Sequence, residues 1–284
     1  MEIESAIVED WVLNRKGARK ASDIPAEVAE LLLAGRIESV NLTEWLAVDH
    51  AILLQHTLPA LGLGEAVSTV QSELERAKGQ GIMKLLPLIG KKLFELLADL
   101  EEDRRGTLFH ALSSHRSDSV RCWAAYVVGV NDSLSIEEKL AQIKPFAADP
   151  HFGVREIAWM AVRGSITQSL EGSIHLFQAW VVDSDENIRR FAIESTRPRG
   201  VWSKHIDELK QNPARALQLL DRVKADRSKY VQDSVGNWLN DASKSNPGWV
   251  LQVCQEWLEA TDSKATKRIV TKAKRTIEKK RAAN

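Results

Sequence analysis

A phrase of eight residues returns along the second half of this chain and constrains its fold more than any other feature. It reads Ser114-His-Arg-Ser-Asp-Ser-Val-Arg121, then Ala148-Asp-Pro-His-Phe-Gly-Val-Arg155, Val182-Asp-Ser-Asp-Glu-Asn-Ile-Arg189 and Ala225-Asp-Arg-Ser-Lys-Tyr-Val-Gln232. Arg121, Arg155 and Arg189 are 34 residues apart, and the step to Gln232 is 43. A degenerate fifth copy, Ala260-Thr-Asp-Ser-Lys-Ala-Thr-Lys267, follows 35 residues on. In three copies an Asp stands six positions before the last residue, as Asp149, Asp183 and Asp226. A turn containing that Asp closes one helix, and the Val/Ile-Arg step opens the next. One such helix pair cannot bury its apolar face alone, so neighbouring pairs must stack.

This arrangement resembles the HEAT repeat, and the expected fold is all-α, a HEAT-like solenoid in one domain over residues 1–284. Strand signals agree by their scarcity: there is little Val/Ile/Thr alternation and no Asn-Gly or Asp-Gly hairpin turn. Residues 101–284 carry the repeats. Residues 1–100 show no copy and read as a degenerate helical part. Apolar spacing predicts helices over Ala26–Leu33, Ile52–Leu63 and Met83–Leu97, with Pro59 and Pro87 expected to interrupt or bound them. Asn41, three residues before Glu44, reads as a helix start.

Net charge is zero over 284 residues, which argues against a uniformly basic nucleic-acid binder. The charge is segregated, however. Residues 1–100 hold 10 Lys+Arg against 15 Asp+Glu, a net of −5, and residues 201–284 hold 17 against 10, a net of +7. A basic C-terminal part is an electrostatic footprint for nucleic acid, and equally the mark of solvated helix faces. Cys122 and Cys254 have no CxxC partner and no histidine cluster beside them, so no metal or disulfide framework is expected. The acidic N-terminus lacks a signal-peptide pattern, and the most apolar stretch, Ile82–Ala98, is broken by four charges. A reducing, cytoplasmic setting is expected, with no membrane contact and no cofactor.

Numbering each second helix from its Arg or equivalent as zero, positions +1, +5 and +8 fall near 100°, 140° and about 80° around an α-helix. The stripe reads Glu156, Met160, Arg163; then Arg190, Glu194, Arg197; then Asp233, Asn237, Asn240; then Arg268, Lys272, Arg275. The opposite face holds Ala158, Ala192, Val235 and Val270 at one position and should pack. A stripe of Arg, Lys and Asn along a groove can track phosphates, or it can be a solvated face.

Two phrases add chemistry. In Glu194-Ser-Thr-Arg-Pro-Arg-Gly-Val-Trp202, Pro198 should end the helix between Arg197 and Arg199. The pair would clamp phosphate beside an aromatic platform, Trp202. In Asn237-Trp-Leu-Asn-Asp-Ala-Ser-Lys-Ser-Asn-Pro247, two amides and Asp241 share a helix before Lys244 and a terminating proline. Together with Arg189-Arg190 and Val231-Gln-Asp-Ser-Val235, these phrases resemble the AlkC/AlkD superfamily of HEAT-like alkylpurine DNA glycosylases, closest to its AlkC-type branch. The likeness covers about Phe152 to Ile277.

The resemblance implies a monomeric enzyme that binds duplex DNA and hydrolyses the N-glycosidic bond of alkylated (N3- or N7-methyl) bases. It implies catalytic roles for Asp241 as principal carboxylate, Glu194, Glu156 and Trp202. DNA contacts would come from Arg163, Arg189, Arg190, Arg197, Arg199, Asn237, Asn240, Lys244, Arg268, Lys272 and Arg275. Glu156-Ile-Ala158 departs from the family's Glu-Phe-Ala by lacking the aromatic. Other assignments remain open at each carboxylate: Glu156 and Glu194 could pair with stripe arginines, and Asp241 could pair with Lys244. Trp202 could plug a seam between repeats, and the chain could be a scaffold that binds DNA or protein without catalysis. His110 and His115 lack an acidic partner for a metal, and Gly62-Leu-Gly64 follows no strand. Most of the nine tryptophans are expected in the core, with Trp202 and Trp159 set apart.

Overall fold

The structure, a computed structural model, describes residues 8–77, 79–200 and 202–283. Every regular element among them is helical, as the repeat required. The chain divides into two compact units. The first takes the residues up to Val130 with His151–Val154, and the second takes Asn131–Pro150 with the residues from Arg155 onward.

The first unit contains α1 (Asp10–Leu13), α2 (Ala26–Leu33), α3 (Leu42–Ala47), α4 (His50–Ala60), α5 (Val67–Arg76), α6 (Ile82–Ala98), α7 (Glu102–Ser113) and α8 (Asp118–Val130). Its centre is the packing of α6 on α8. Leu86, Ile89 and Leu93 of α6 and Val120, Trp123 and Ala124 of α8 are fully buried there. This corrects the expectation at Pro87, because α6 runs straight through it. A proline inside a helix costs about 3 kcal/mol, less than burying three or four large aliphatic side chains returns at about 1.5–3 kcal/mol each. Pro59 lies in the last turn of α4 and does bound it. Asn41 caps α3 as expected, its side chain accepting from the Glu44 N–H at 3.0 Å. Glu44 reaches back one residue further than a capping box would, to the N–H of Val40.

The second unit contains α9 (Ile136–Ala147), most of α10 (Phe152–Gln168), α11 (Leu170–Trp180), α12 (Glu186–Ser195), α13 (Asp207–Gln211), α14 (Leu217–Val223), α15 (Lys229–Ser243), α16 (Pro247–Ala260) and α17 (Lys264–Ala283). First helices pack in one row, α11 on α9 and α14 on α11. Second helices pack in another, α15 on α12 and α17 on α15. The α15–α17 approach is close: a Cβ at Gly236 would stand 2.8 Å from the Cβ of Lys272. Ala158, Ala192, Val235 and Val270 are buried, as their shared position predicted.

The periodic arginine has a local purpose. Arg121 Nη1 donates to the carbonyls of His115 and Arg116, six and five residues back, at 2.8 and 3.1 Å. Arg155 does the same to Asp149 and Pro150 at 2.6 and 2.7 Å, and Arg189 to Asp183 and Ser184 at 2.9 and 3.0 Å. Gln232 keeps one of the two bonds, to the Asp226 carbonyl at 2.8 Å. Each side chain folds back over its own turn and satisfies carbonyls that no helix serves. The periodic Asp braces the same turn from within: Asp183 and Asp226 each accept an N–H two residues on, from Asp185 and Ser228. Arg189 also forks onto Asp226 at 2.7 and 2.9 Å, tying one repeat to the next.

Three buried tryptophans, Trp123, Trp159 and Trp238, find partners for their indole N–H, whereas the buried Trp45 Nε1 has none. Trp123 donates to His50 Nδ1 at 3.0 Å and Trp238 to the Thr196 carbonyl at 3.0 Å. Trp159 is also core, 1% exposed, which corrects its separation from the core tryptophans. Both cysteines are free and buried, and burial pushes the Cys254 thiol up to about 11. No helix among the described residues is long and apolar enough to cross a membrane.

His50 supplies a test of the first unit. Burial lowers its pKa from 6.5 to about 4, against a smaller upward pull from Asp49. Below pH 6.5 the unfolded chain takes up a proton that the folded protein refuses until about pH 4. Stability should therefore fall with acidification through that window, by up to roughly 3 kcal/mol from this group. Urea unfolding of wild type and His50→Gln at pH 7 and pH 5 checks it. The variant should lose much of the pH slope, and equal slopes would refute the assignment.

Candidate active site and nucleic-acid interface

The polar stripe of the second helices is built as a set of links from each helix to the next. Between α10 and α12, Arg190 donates to Glu156 Oε1 at 2.5 Å. Between α12 and α15, Arg197 donates to Asp241 Oδ2 through Nε at 2.9 Å and Nη2 at 2.6 Å. Between α15 and α17, Asp233 takes Arg268 and Lys272, Asn237 takes Arg275 at 3.0 Å, and Asn240 takes the Thr276 N–H at 3.1 Å. Equivalent positions on neighbouring second helices, and positions about one turn apart, face one another, so opposite charges there meet across the seam.

The centre of the stripe is an alternating chain of charges. Glu156 accepts from Trp159 Nε1 at 2.9 Å and from Arg190. Arg190 lies 3.7 Å from Glu194 and stacks over the Tyr230 ring at 4.3 Å. Glu194 accepts from Ser234 Oγ at 2.6 Å and from Arg197 Nη1 at 2.5 Å. Arg197 passes on to Asp241, whose other oxygen takes Lys244 at 2.8 Å. Burial by itself would raise the Glu194 pKa, but Arg190 and Arg197, with the Ser234 hydroxyl, outweigh it and hold the carboxyl below 4.5. Burial would lower Arg197, and Glu194 and Asp241 reverse that. Glu194 and Arg197 therefore stay ionised at neutral pH.

Below it, Arg163 closes the end of α12. Its guanidinium donates to the carbonyls of Ser195, Arg197 and Lys204 at 2.7, 2.5 and 3.0 Å. A cation at a helix C-terminus serves both the unpaired carbonyls and the macrodipole. Burial, and then Arg197, push Arg163 down to about 10, so it remains charged at neutral pH. Pro198 follows the helix end, as expected, and the chain turns over the arginine at Gly200, where a Cβ would stand 3.1 Å from the guanidinium carbon. Trp202 comes next. It is 58% exposed and holds φ at 58°, the left-handed region that a bulky side chain seldom adopts. It does not plug a seam.

The residues named from the sequence thus fall into two groups. Arg163, Arg189, Arg197 and Asn240 are buried and occupied by protein partners, so these expected phosphate contacts are interior struts. Asp241 and Glu194 are each 3% exposed, and both are paired as the alternative assignment held. Lys244, Arg268 and Arg275 reach solvent, with Arg199 and Lys272 half-buried. Glu156 is the most open of the three carboxylates, its side chain 33% exposed against 4% for the other two. Reading by sequence missed Tyr230 and Ser234. Ser234 was legible: it stands where the other copies have Ile157, Phe191 and Ile269. No periodic signal marks Tyr230. Among the described residues no group of three His, Cys, Asp or Glu side chains is arranged to hold a metal ion.

Arg197 bridges two buried carboxylates, so its loss should be costly. Arg197→Ala should reduce stability by about 3–5 kcal/mol. The deficit should shrink as pH falls toward 4.5, because the orphaned carboxyls can then protonate. Chemical unfolding at pH 7.5 and pH 5 checks this, and a loss under 1 kcal/mol, a surface-pair value, would rule out the bridge.

Residues 156–276, the segment holding this network, match the DNA alkylation repair enzyme family. The Bacillus subtilis protein YhaZ is 39% identical over 97 residues, 34% of this chain and 27% of that protein. Among solved structures, the Pseudomonas fluorescens alkylpurine DNA glycosylase AlkC, bound to DNA containing an abasic-site analogue, aligns with a TM-score of 0.64 at 23% identity. That alignment covers 92% of this chain and 65% of AlkC, so the chain spans less than two thirds of either relative. AlkD2 from Streptococcus mutans aligns with a TM-score of 0.54 at 21% identity, over 72% of this chain and 97% of that one. At such identities the two structures speak for the fold. Residues 156–276 of this chain thus resemble the DNA alkylation repair enzyme family, and the chain's fold is that of the helical-repeat AlkC and AlkD proteins.

Proposed function

We propose that this chain is a DNA glycosylase that binds duplex DNA along α12, α15 and α17 and hydrolyses the N-glycosidic bond of N3- or N7-alkylated bases. The observation that carries the reading is the coincidence of the family match with the salt-bridged network from Glu156 to Lys244. AlkC's DNA-bound state supports DNA as the ligand class.

An alkylated purine already bears positive charge and leaves without prior protonation. As its bond to C1′ breaks, the electron pair goes to the base and oxocarbenium character develops on the sugar. A carboxylate fixed nearby stabilises that cation and can take a proton from the water that adds to C1′. Glu156 suits this role best. It is partly open, and Trp159 and Arg190 hold its two oxygens in place. Asp241 and Glu194 act from behind, keeping Arg197 and Arg190 charged and set. Trp202 offers an exposed aromatic face for stacking or cation–π contact. The burial of Glu194 and Asp241 favours the second reading, a scaffold that binds without catalysis, and base release from methylated DNA separates the two.

Glu156→Gln keeps the side chain's shape and one of its two accepting oxygens and removes the charge. It should bind alkylated DNA as wild type does and release bases about 10²–10³-fold more slowly. Unchanged release in a folded variant would end the assignment. Trp202→Asn fits the left-handed backbone better than tryptophan does. Its melting temperature should hold or rise while excision falls, and a large thermal loss would place Trp202 in a structural role instead. Phosphate contact narrows to the exposed cations. Arg268→Gln with Arg275→Gln should lower the salt slope of DNA binding by about two units, measured by affinity at several salt concentrations. An unchanged slope would move the DNA elsewhere.

A further inference from the structure

The first unit contains a cleft of about 800 Å³ that the glycosylase reading does not use. It opens between the segment after α2 and the turn between α7 and α8. Arg15, Arg36, Arg116 and Arg121 line it, with His115 and a single carboxylate, Glu38. Residues 1–100 as a whole carry a net of −5, so this concentration of guanidinium runs against its surroundings in sequence.

The four arginines are not alike. Arg15 is held by Glu44 at 2.7 Å and by the carbonyls of Val12 and Glu38. Arg121 caps its own turn and pairs with Glu38. These two are fixed by the fold. Arg116 is exposed, and the bond it makes across the cleft, to the Arg36 carbonyl, is long at 3.5 Å. His115 is oriented: its Nδ1 accepts the Ser117 N–H at 3.0 Å, which leaves the proton of the neutral ring on Nε2. Burial lowers the His115 pKa, and the cations of Arg121 and Arg116 lower it further. That second effect registers positive potential inside the cleft. Forked guanidiniums and an oriented imidazole N–H are donors matched to an oxyanion with several oxygens. Leu13 and Val40 also line the cleft and are exposed, so an organic group could lie beside the anion.

We propose that this cleft binds a phosphate group, with Arg116 and His115 as its adjustable donors and Arg15 and Arg121 as its fixed charge. The phosphate belongs either to a phosphorylated small molecule or to a DNA strand; the chemistry is the same. The site stands apart from the carboxylate network, and its test does not depend on base release.

The experiment titrates inorganic phosphate into the full chain while following the His115 ring protons by NMR. A saturable shift is expected, with the His115 pKa rising as the bound anion offsets Arg121 and Arg116. Glu38 and Arg36 line the same cleft and are common to every arm. Arg116→Glu should weaken phosphate binding about tenfold or more, and Arg116→Lys should retain most of it. Arg116 is exposed, so both variants should fold, which their melting temperatures verify. Undamaged duplex DNA is then added. Displacement of phosphate assigns the site to a DNA strand, and its absence assigns it to a small phosphorylated ligand. No saturable shift at His115, or equal binding by wild type and Arg116→Glu, overturns the proposal.

Discussion

A side chain that folds back onto its own turn underlies the architecture. Arg121, Arg155 and Arg189 each give one guanidinium nitrogen to carbonyls five and six residues earlier, and Gln232 retains half of that function. A turn between two packed helices holds carbonyls that neither helix can satisfy, and leaving them buried and unpaired costs about 1–3 kcal/mol each. The arginine removes that cost and fixes the direction in which the second helix departs. Within the second unit, with direction fixed in this way, second helices run side by side, and equivalent positions on neighbours come into register. The cross-helix links of the stripe follow from that register.

The links also explain why so many charges can be interior. Glu194, Arg197 and Asp241 would each be expensive to bury alone. Strung together with Arg190, Ser234 and Lys244, every charge has an opposite neighbour and every carboxylate oxygen a donor. Such a network contributes less to stability than its number of contacts suggests, since desolvation offsets much of the attraction. Its effect is geometric: it sets Glu156 at one end and Lys244 at the other. A carboxylate meant to meet a developing cation benefits from that, because its orientation is fixed before the substrate arrives.

Trp202 and Gly200 show how the same network shapes the loop that follows α12. Arg163 reaches three carbonyls at the end of that helix, and the chain passes closely over its guanidinium at Gly200, where a Cβ would stand 3.1 Å from it and crowd the Ser203 hydroxyl. The left-handed backbone at Trp202 comes just after this turn. A strained, exposed aromatic beside an ordered cluster of charge is the combination in which local cost tends to accompany function.

What the sequence determined by itself was periodic. The spacing of Arg121, Arg155, Arg189 and Gln232 required stacked helix pairs, the alanines and valines opposite the stripe marked the packed face, and Pro198 marked the end of α12. These are local or repeating properties, and each copy testifies for the others. Tertiary structure alone decided which polar residues are available. Arg163, Arg197 and Arg275 occupy the same position in the pattern, yet the first two are buried struts and the third reaches solvent. The difference lies in what the neighbouring helix brings opposite each of them. Arg163 meets the exposed carbonyls of a helix end, Arg197 meets Asp241, and Arg275 lies on α17, the last of the second helices among the described residues. Helical periodicity specifies the face on which a side chain emerges, and the partner across the seam determines whether its charge is spent within the protein or left for a ligand.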